Sequence, residues 1–552
     1  MTETSTPTAV PHRLSAARVL NAVLLGAAAV FFVLHFLHLN ADFPNNSPWM
    51  DWAKYTDEGW YGDAAIRHYV TGHWYWRGDF NPAVALPVWP ALEWIVFRFT
   101  GVSVAAARAL TLVVVGLTLV VFYRLIARNT HSRTQAEISI APALAMLMLC
   151  SSSFLYVFDR MAIVEPLLIC LTALALLTAE HLHPLRMRRA GLVKSILPAL
   201  ALGVLLAAMV LAKTTAISLF PAVAYMVWAR AGYRLRPAVK LAIVPCVVAA
   251  ALWLAYFYGF VHPHYMADYK YLFDANGYTG IELDPVATVV LNTLTDALWM
   301  GKALCFSFVA VVVLVMFWRP RLMANPLVPA LLLWIGGYTT FLLYHNNLQP
   351  RYYTVIAVPI AVVVAIGLDN FRYADNRFAR AVAASAVALT VCAMVIPDAA
   401  EQIDFVLHPT YEFETAAQNI KRVVMADPTH SHLIMSISGS DLTLMTGLPS
   451  IDDDFGTMDM DVRARTYQPG WYVAWNDIED DKMQALAPYF RLERVATFPA
   501  LDDPERNQMI LYRLDPLPAN ESKPAAPLRK AATPKPLVTK AGQQPSTEQL
   551  QH

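Results

Sequence analysis

The ionisable side chains that could do chemistry in this chain are few, and they fall at the edges of apolar runs. The stretch Tyr55-Thr-Asp-Glu-Gly-Trp-Tyr places Asp57 and Glu58 at the start of a predicted helix that Thr56 or Asp57 can cap and Gly72 can stop. Helical spacing puts Asp57, Tyr61, Ala65 and His68 on one face. A carboxylate so placed could accept a proton from an attacking hydroxyl, or it could be an acidic cap on a surface helix. The positive end of the helix dipole is expected to keep Asp57 ionised and weakly basic, so it would act through concerted proton transfer or by positioning the acceptor. A second acidic stretch, Ser153-Phe-Leu-Tyr-Val-Phe-Asp-Arg-Met-Ala-Ile-Val-Glu-Pro, offers Asp159 and Glu165. Asp159 could hold a metal, orient an acceptor or position Lys213, or it could pair with Arg160 at a helix turn. Lys213 and Arg351 stand alone at span ends, where they either snorkel to the interface or bind phosphate. Arginine suits phosphate because its planar fork meets two oxygens. His345 and Tyr352 lie beside Arg351 in sequence.

The elements that must position these groups are apolar. The 552 residues are 57% hydrophobic and 15% charged, which excludes a single soluble globular domain and a disordered chain. Lys plus Arg and Asp plus Glu both number 42, so no global basic footprint for nucleic acid exists. Five cysteines in apolar runs, none in a CxxC pair, argue against a disulfide framework or zinc knuckle. Runs of about 20 apolar residues predict about eleven transmembrane helices. They fall near 18–38, 105–126, 138–156, 163–180, 195–212, 215–230, 240–261, 298–318, 327–344, 353–368 and 379–397. The first is read as an uncleaved span. Basic residues such as Arg124, Arg128, Arg230, Arg234, Arg319 and Arg321 favour one set of loops, which the positive-inside rule makes cytoplasmic. The N-terminal tail 1–17 is then cytoplasmic, and everything after Pro397 lies outside. Asp57, Glu58, Asp63, Asp159, Arg160, Glu165, Lys213, His345 and Arg351 come from distant parts of the chain yet map to the external membrane face. That placement suits a site at the membrane surface rather than a path through the bilayer.

The expected fold class is therefore an α-helical polytopic membrane protein with a small C-terminal α/β extracytoplasmic domain. Residues 18–397 form the membrane domain with a long external loop at 39–104, 398–516 the α/β domain, and 517–552 a disordered tail rich in Pro, Ala and Lys. Tyr411–Met425 reads as an amphipathic helix, and His432–Ile437 and Asn507–Leu514 as strands. Asp452-Asp-Asp and Asp459-Met-Asp resemble nucleotide-sugar metal motifs, but without a Gly-rich loop they read as polar turns.

The order of these motifs resembles the integral-membrane GT-C glycosyltransferases of the protein O-mannosyltransferase and aminoarabinose transferase type. The resemblance rests on Asp57-Glu58-x-x-Tyr61-x-x-x-Ala65, Thr71-Gly72-His73-Trp74, Pro87-Val-Trp-Pro, Gly101-Val-Ser, Ala107-Arg108-Ala, Asp159 through Glu165-Pro166, Lys213 and Arg351-Tyr352 with Pro359, over roughly residues 18–370. It departs at the second hairpin, where either Asp159 or Glu165 could be the functional acid. The resemblance implies a polyprenyl-phosphate-linked sugar donor, either hexosyl or pentosyl, entering from the bilayer of the cell inner or plasma membrane. The acceptor would be an extracytoplasmic protein, lipid or glycan. It implies catalytic roles for Asp57, Glu58 and Asp159, with Asp57 as general base. Lys213 and Arg351 would hold the departing phosphate, and Tyr61, Glu165, His345 and Tyr352 would shape the pocket. Some members use a divalent cation and others do not, and no ligand set here decides between them. The alternatives are a transporter or lipid flippase, which would show repeats and midplane polar residues that this chain lacks, and a non-catalytic scaffold whose external domain binds a partner.

Overall fold

The computed structural model describes residues 16–43, 51–130, 139–182, 192–275, 285–344, 349–371, 377–501 and 506–518. His345 and most of the 517–552 tail lie outside these residues. The chain is largely helical, with an apolar bundle followed by a small sheet. Five helices are long and apolar enough to cross a membrane: Ala16–Leu34, Val104–Asn129, Leu235–His264, Pro350–Phe371 and Phe378–Ala426. Two bent pairs raise that number to seven. Ala141–Ser151 and Ser153–Arg160 meet at 69°, and Val286–Met300 and Lys302–Trp318 at 113°. Shorter apolar helices cover Val164–Ala179, Ile196–Ala212 and Leu327–Leu343. Burial sorts them. The Pro350–Phe371 window is 89% buried, and the Ala16–Leu34 window only 6%. An apolar helix left that exposed is stable only against lipid, so the protein is an integral membrane protein.

The first loop is built on helices within its described residues. Its main helix, Asp57–Thr71, begins with two acids that match the positive end of the dipole. It ends at Gly72, whose φ of 81° is the left-handed cap conformation, with its N–H on the His68 carbonyl at 3.1 Å. Thr56 makes no capping bond to the helix backbone; its hydroxyl donates to Asp57 Oδ1 at 3.0 Å instead. Pro87 precedes a second loop helix, Val88–Thr100.

The sheet after the bundle has the order β2-β1-β3-β5-β4, with β1 at Ile434–Met435, β2 at Ser450–Ile451, β3 at Trp471–Trp475, β4 at Phe490–Pro499 and β5 at Gln508–Pro516. β1 pairs in parallel with β2 and β3, and β5 pairs antiparallel with β3 and β4. Side chains of β3 alternate between two apolar clusters. Trp471, Val473 and Trp475 pack with Phe413 and Ile420 of the Glu412–Ala426 helix, while Tyr472 and Ala474 pack with Leu486 and Phe490. Tyr55 of the external loop is buried in the first of these clusters. Asp42 accepts from the N–H groups of Glu412 and Phe413 at 2.6 and 3.2 Å, capping that helix from the far end of the chain. The loop and the sheet thus share one core.

Candidate active site

Three membrane-side elements and the first loop bring five charges together. Lys213 follows the Leu192–Ala212 helix, Glu165 sits in the first turn of Val164–Ala179, and Arg351 opens the short turn before Thr354–Phe371. Asp57 arrives on the loop helix and Asp51 just ahead of it. Arg351 is the hub. Its Nη2 lies 2.7 Å from Asp57 Oδ2, its Nη1 pairs with Asp51, and its Nε is 3.9 Å from Glu165 Oε1. The Arg351 backbone N–H also donates to Asp51 Oδ2 at 3.0 Å. Lys213 pairs with the same Glu165 oxygen. The Tyr352 ring receives both cations, Lys213 Nζ at 4.6 Å and the Arg351 guanidinium carbon at 4.8 Å from its centroid. Desolvated cation–π contacts of this kind contribute about 2 kcal/mol each. All five charged residues are buried.

The formal balance is three acids against two bases, and the second oxygen of Glu165 has no hydrogen-bond partner among the described residues. Burial raises the Asp57 carboxyl, the Arg351 charge opposes that shift, and Asp51 and Glu165 reinforce it. This corrects the expectation of a weak base at a helix start: loss of water outweighs the dipole, and Asp57 is more basic than an exposed aspartate. Tyr61 faces the same charges, and burial beside Asp57 and Glu165 keeps its phenol protonated and able to donate.

Other expected residues lie elsewhere. Glu58 points away from Arg351. Its carboxylate takes Arg108 in a fork, Nε to Oε1 at 2.8 Å and Nη2 to Oε2 at 2.6 Å, and accepts the Ala162 N–H at 2.8 Å. Asp159 is buried near Cys150 and makes no hydrogen bond or ion pair among the described residues; it is not paired with Arg160. Arg160 instead donates to the Tyr156 hydroxyl at 2.6 Å and to the Leu37 and His38 carbonyls at 2.8 and 2.6 Å. Glu165, not Asp159, is the hairpin acid beside Lys213. His68 stacks on Trp74 with centroids 4.6 Å apart, away from the charge cluster.

Sequence reasoning missed Asp51. Nothing in its spacing marks it, although it stands just ahead of the loop helix. It also treated Arg108 only as part of a motif. A lone arginine one turn into an apolar helix is costly without a partner, and that was a usable signal.

No group of three or more His, Cys, Asp or Glu able to hold a metal occurs among the described residues. The acids nearest the centre, Asp51, Asp57 and Glu165, take Arg351 and Lys213 in this structure.

The fold, an apolar helical bundle with a charge cluster at the helix ends and a sheet layer docked on the first loop, is similar to that of solved membrane glycosyltransferase structures. The particular structures it matches are, first, ArnT from Cupriavidus metallidurans bound to undecaprenyl phosphate. That match has a TM-score of 0.60 and 14% identity over 92% of this chain and 100% of that one. The Archaeoglobus fulgidus oligosaccharyltransferase tethered with an acceptor peptide matches at TM-score 0.53 and 14% identity, over 86% of this chain and 72% of that one. The same organism's oligosaccharyltransferase AglB, in complex with an inhibitory peptide and a dolichol-phosphate, matches at TM-score 0.50 and 13% identity over 90% and 74%. No family model and no curated protein matches the sequence.

Proposed function

We propose that this protein is a membrane glycosyltransferase that moves a sugar from a polyprenyl-phosphate donor to an extracytoplasmic protein, lipid or glycan. The observation that carries the reading is the Asp57–Arg351–Glu165–Lys213 cluster. It sets a buried, raised-pKa carboxylate beside two cations at the end of the bundle where a lipid phosphate would arrive. The fold it shares with proteins holding undecaprenyl phosphate and dolichol-phosphate supports the donor class. The acceptor hydroxyl gives its proton to Asp57 as its oxygen attacks the anomeric carbon. The bond from that carbon to the phosphate oxygen breaks, and the anomeric centre inverts. The departing phosphate gains a negative charge, which Lys213 and Arg351 stabilise more strongly than they do the donor. Tyr61 and Tyr352 line the pocket; His345 is a proposed lining residue on sequence grounds alone. Glu165 positions Lys213, whereas Glu58 and Asp159 are assigned to support rather than to the reacting atoms.

We place the membrane domain at 18–397 with about eleven spans, the α/β domain at 398–516, and the latter outside the cytoplasm. The contacts of Asp42 with the Glu412–Ala426 helix and of Trp60 with the Ile437 carbonyl support that topology, because the first loop and the α/β domain must then lie on one side of the membrane. The test is purified protein in liposomes, given a panel of radiolabelled polyprenyl-phosphate sugars with mixed acceptor extracts. Transfer from one donor, lost in Asp57→Asn, is expected. Donor flux across the bilayer without sugar transfer would refute the reading.

A further inference from the structure

The loop helix is gripped from behind by the sheet layer. Gly59, in the first turn of the helix, lies so close to the 439–446 helix that a Cβ there would stand 2.3 Å from the Asp441 backbone nitrogen and 2.4 Å from the Ser440 carbonyl carbon. The Ser440 hydroxyl donates to Asp63 Oδ1 at 2.5 Å. The same Asp63 oxygen lies 2.9 Å from Arg67 Nε, and Arg67 Nη2 lies 2.5 Å from Asp79 Oδ2. Asp79 then takes Arg463 Nη1 at 3.0 Å and the Asp452 N–H at 3.1 Å. Trp60 donates its indole N–H to the Ile437 carbonyl at 3.1 Å. Asp63, Arg67, Asp79, Ser440, Arg463 and Asp452 are all buried, so the chain of charges is a closed ionic seam, not a solvated surface. Asp63, Arg67 and Asp79 come from the first loop, and Ser440, Asp452 and Arg463 from the C-terminal layer.

We propose that the C-terminal layer is a positioning element of the active site, with Gly59, Asp63 and Ser440 as positioning residues that set the place of Asp57 relative to Arg351. The inference rests on the glycosyltransferase reading. The Asp57 side chain and the Asp63 side chain leave one short helix toward different neighbours. A helix clamped on Asp63 and Gly59 therefore cannot rotate or lift without breaking the 2.7 Å Asp57–Arg351 contact. Displacement of a reacting group by about 1 Å costs about a hundredfold in rate. Nothing in the seam touches Lys213 or Arg351, which hold the donor phosphate in this reading.

The experiment uses full-length protein in liposomes with wild type, Gly59→Ala, Ser440→Ala and Ser440→Thr. Transfer kinetics and amide hydrogen exchange across residues 57–61 are measured on the same samples. Gly59→Ala is expected to lower kcat about a hundredfold. Ser440→Ala is expected to lower it less, both variants keeping the donor KM within about twofold. Exchange at 57–61 is expected to accelerate in both, and Ser440→Thr, which keeps the hydroxyl, should restore both readouts. If Gly59→Ala does not fold, Ser440→Ala carries the test alone. Wild-type kcat in Ser440→Ala, or unchanged exchange at 57–61, overturns the proposal. Wild-type protein that transfers no sugar overturns the glycosyltransferase reading instead, and the exchange result then decides whether the layer holds the helix.

Discussion

The two sides of the Asp57–Thr71 helix carry buried charges in different states of satisfaction. Behind it, Asp63, Arg67, Asp79 and Arg463 form a linear seam of alternating sign, with Asp452 as a third acid 3.9 Å from Arg463, so that no one cation serves three acids. In front, three acids share two cations, Arg351 is divided among Asp51, Asp57 and Glu165, and a Glu165 oxygen is left without a hydrogen bond among the described residues. Breaking a buried pair costs about 3–5 kcal/mol, so the rear seam has every reason to stay shut. The front cluster is frustrated, and a phosphate can take Arg351 and Lys213 from their acids at smaller cost. Removing Arg351 from Asp57 would raise the basicity of that carboxylate further, since Arg351 is the main group opposing its burial shift. Phosphate binding and base activation are coupled through one guanidinium.

The largest effect that would sharpen this contrast is at the front. Asp57→Asn is expected to lower kcat by about 10²–10⁴-fold, the range for loss of general-base catalysis, with an unchanged thermal midpoint. Rate assays beside differential scanning fluorimetry check it, and a variant that keeps wild-type rate breaks the front-face assignment. Next, Lys213→Met should reduce turnover about 10²-fold and weaken binding of free polyprenyl phosphate, as expected for one lost electrostatic donor. Titration calorimetry and kcat measured together check that pairing. Glu58→Gln, one residue from Asp57, should behave in the opposite way. It leaves Arg108 buried with a neutral partner and is expected to lose about 3 kcal/mol of stability while the folded fraction turns over normally. Denaturant melts with rates normalised to folded protein would show it.

The smallest effect is in pH dependence. Burial raises the Asp63 carboxyl from 3.8 to about 7, against the pull of Arg67. A carboxyl with a raised folded pKa favours folding fully below its unfolded pKa, and that contribution is lost as pH rises through the folded value. Stability should therefore fall between about pH 4 and pH 7 from this group, and Asp63→Asn should flatten that part of the curve. Thermal melts across that window check the slope. Asp57 has the same sign of shift, but its effect on rate is opposite. The base must be ionised, so kcat/KM should rise with pH through the raised Asp57 pKa.

The front cluster was legible in sequence to the extent that its members are expensive in an apolar chain. Asp57, Glu165, Lys213 and Arg351 were visible as charges at run ends, and the 57–71 helix was visible from its acids and Gly72. Which carboxylate meets which cation was not legible, because it depends on the break at 161–163 between the Ser153–Arg160 and Val164–Ala179 helices, which separates Asp159 from Glu165, and on how far the loop helix reaches over the bundle. The seam was hidden for a different reason. Asp63 reads in the sequence as one more acid at the external face beside Asp57 and Glu58, nothing in the spacing of Arg67 or Asp79 points to a partner in the sheet, and the sheet's own Asp452 looked like an ordinary turn. Asp452 is in part that turn, accepting the N–H groups of Asp454 and Phe455 at 2.9 Å each, but it is buried against Arg463 at the same time. The C-terminal layer reaches the loop that carries Asp57, since Tyr55 is buried in its apolar cluster and Trp60 packs against it.

The most direct measurement follows the lipid. Purified protein in liposomes is supplied with a sugar-loaded polyprenyl phosphate and an acceptor, and the lipid is analysed by mass spectrometry while sugar transfer is counted. Free polyprenyl monophosphate should appear one for one with sugar transferred, and neither should appear with Asp57→Asn. Intact donor lipid recovered from the opposite leaflet, with no monophosphate formed, would contradict the account and make the protein a carrier of the lipid rather than an enzyme acting on it.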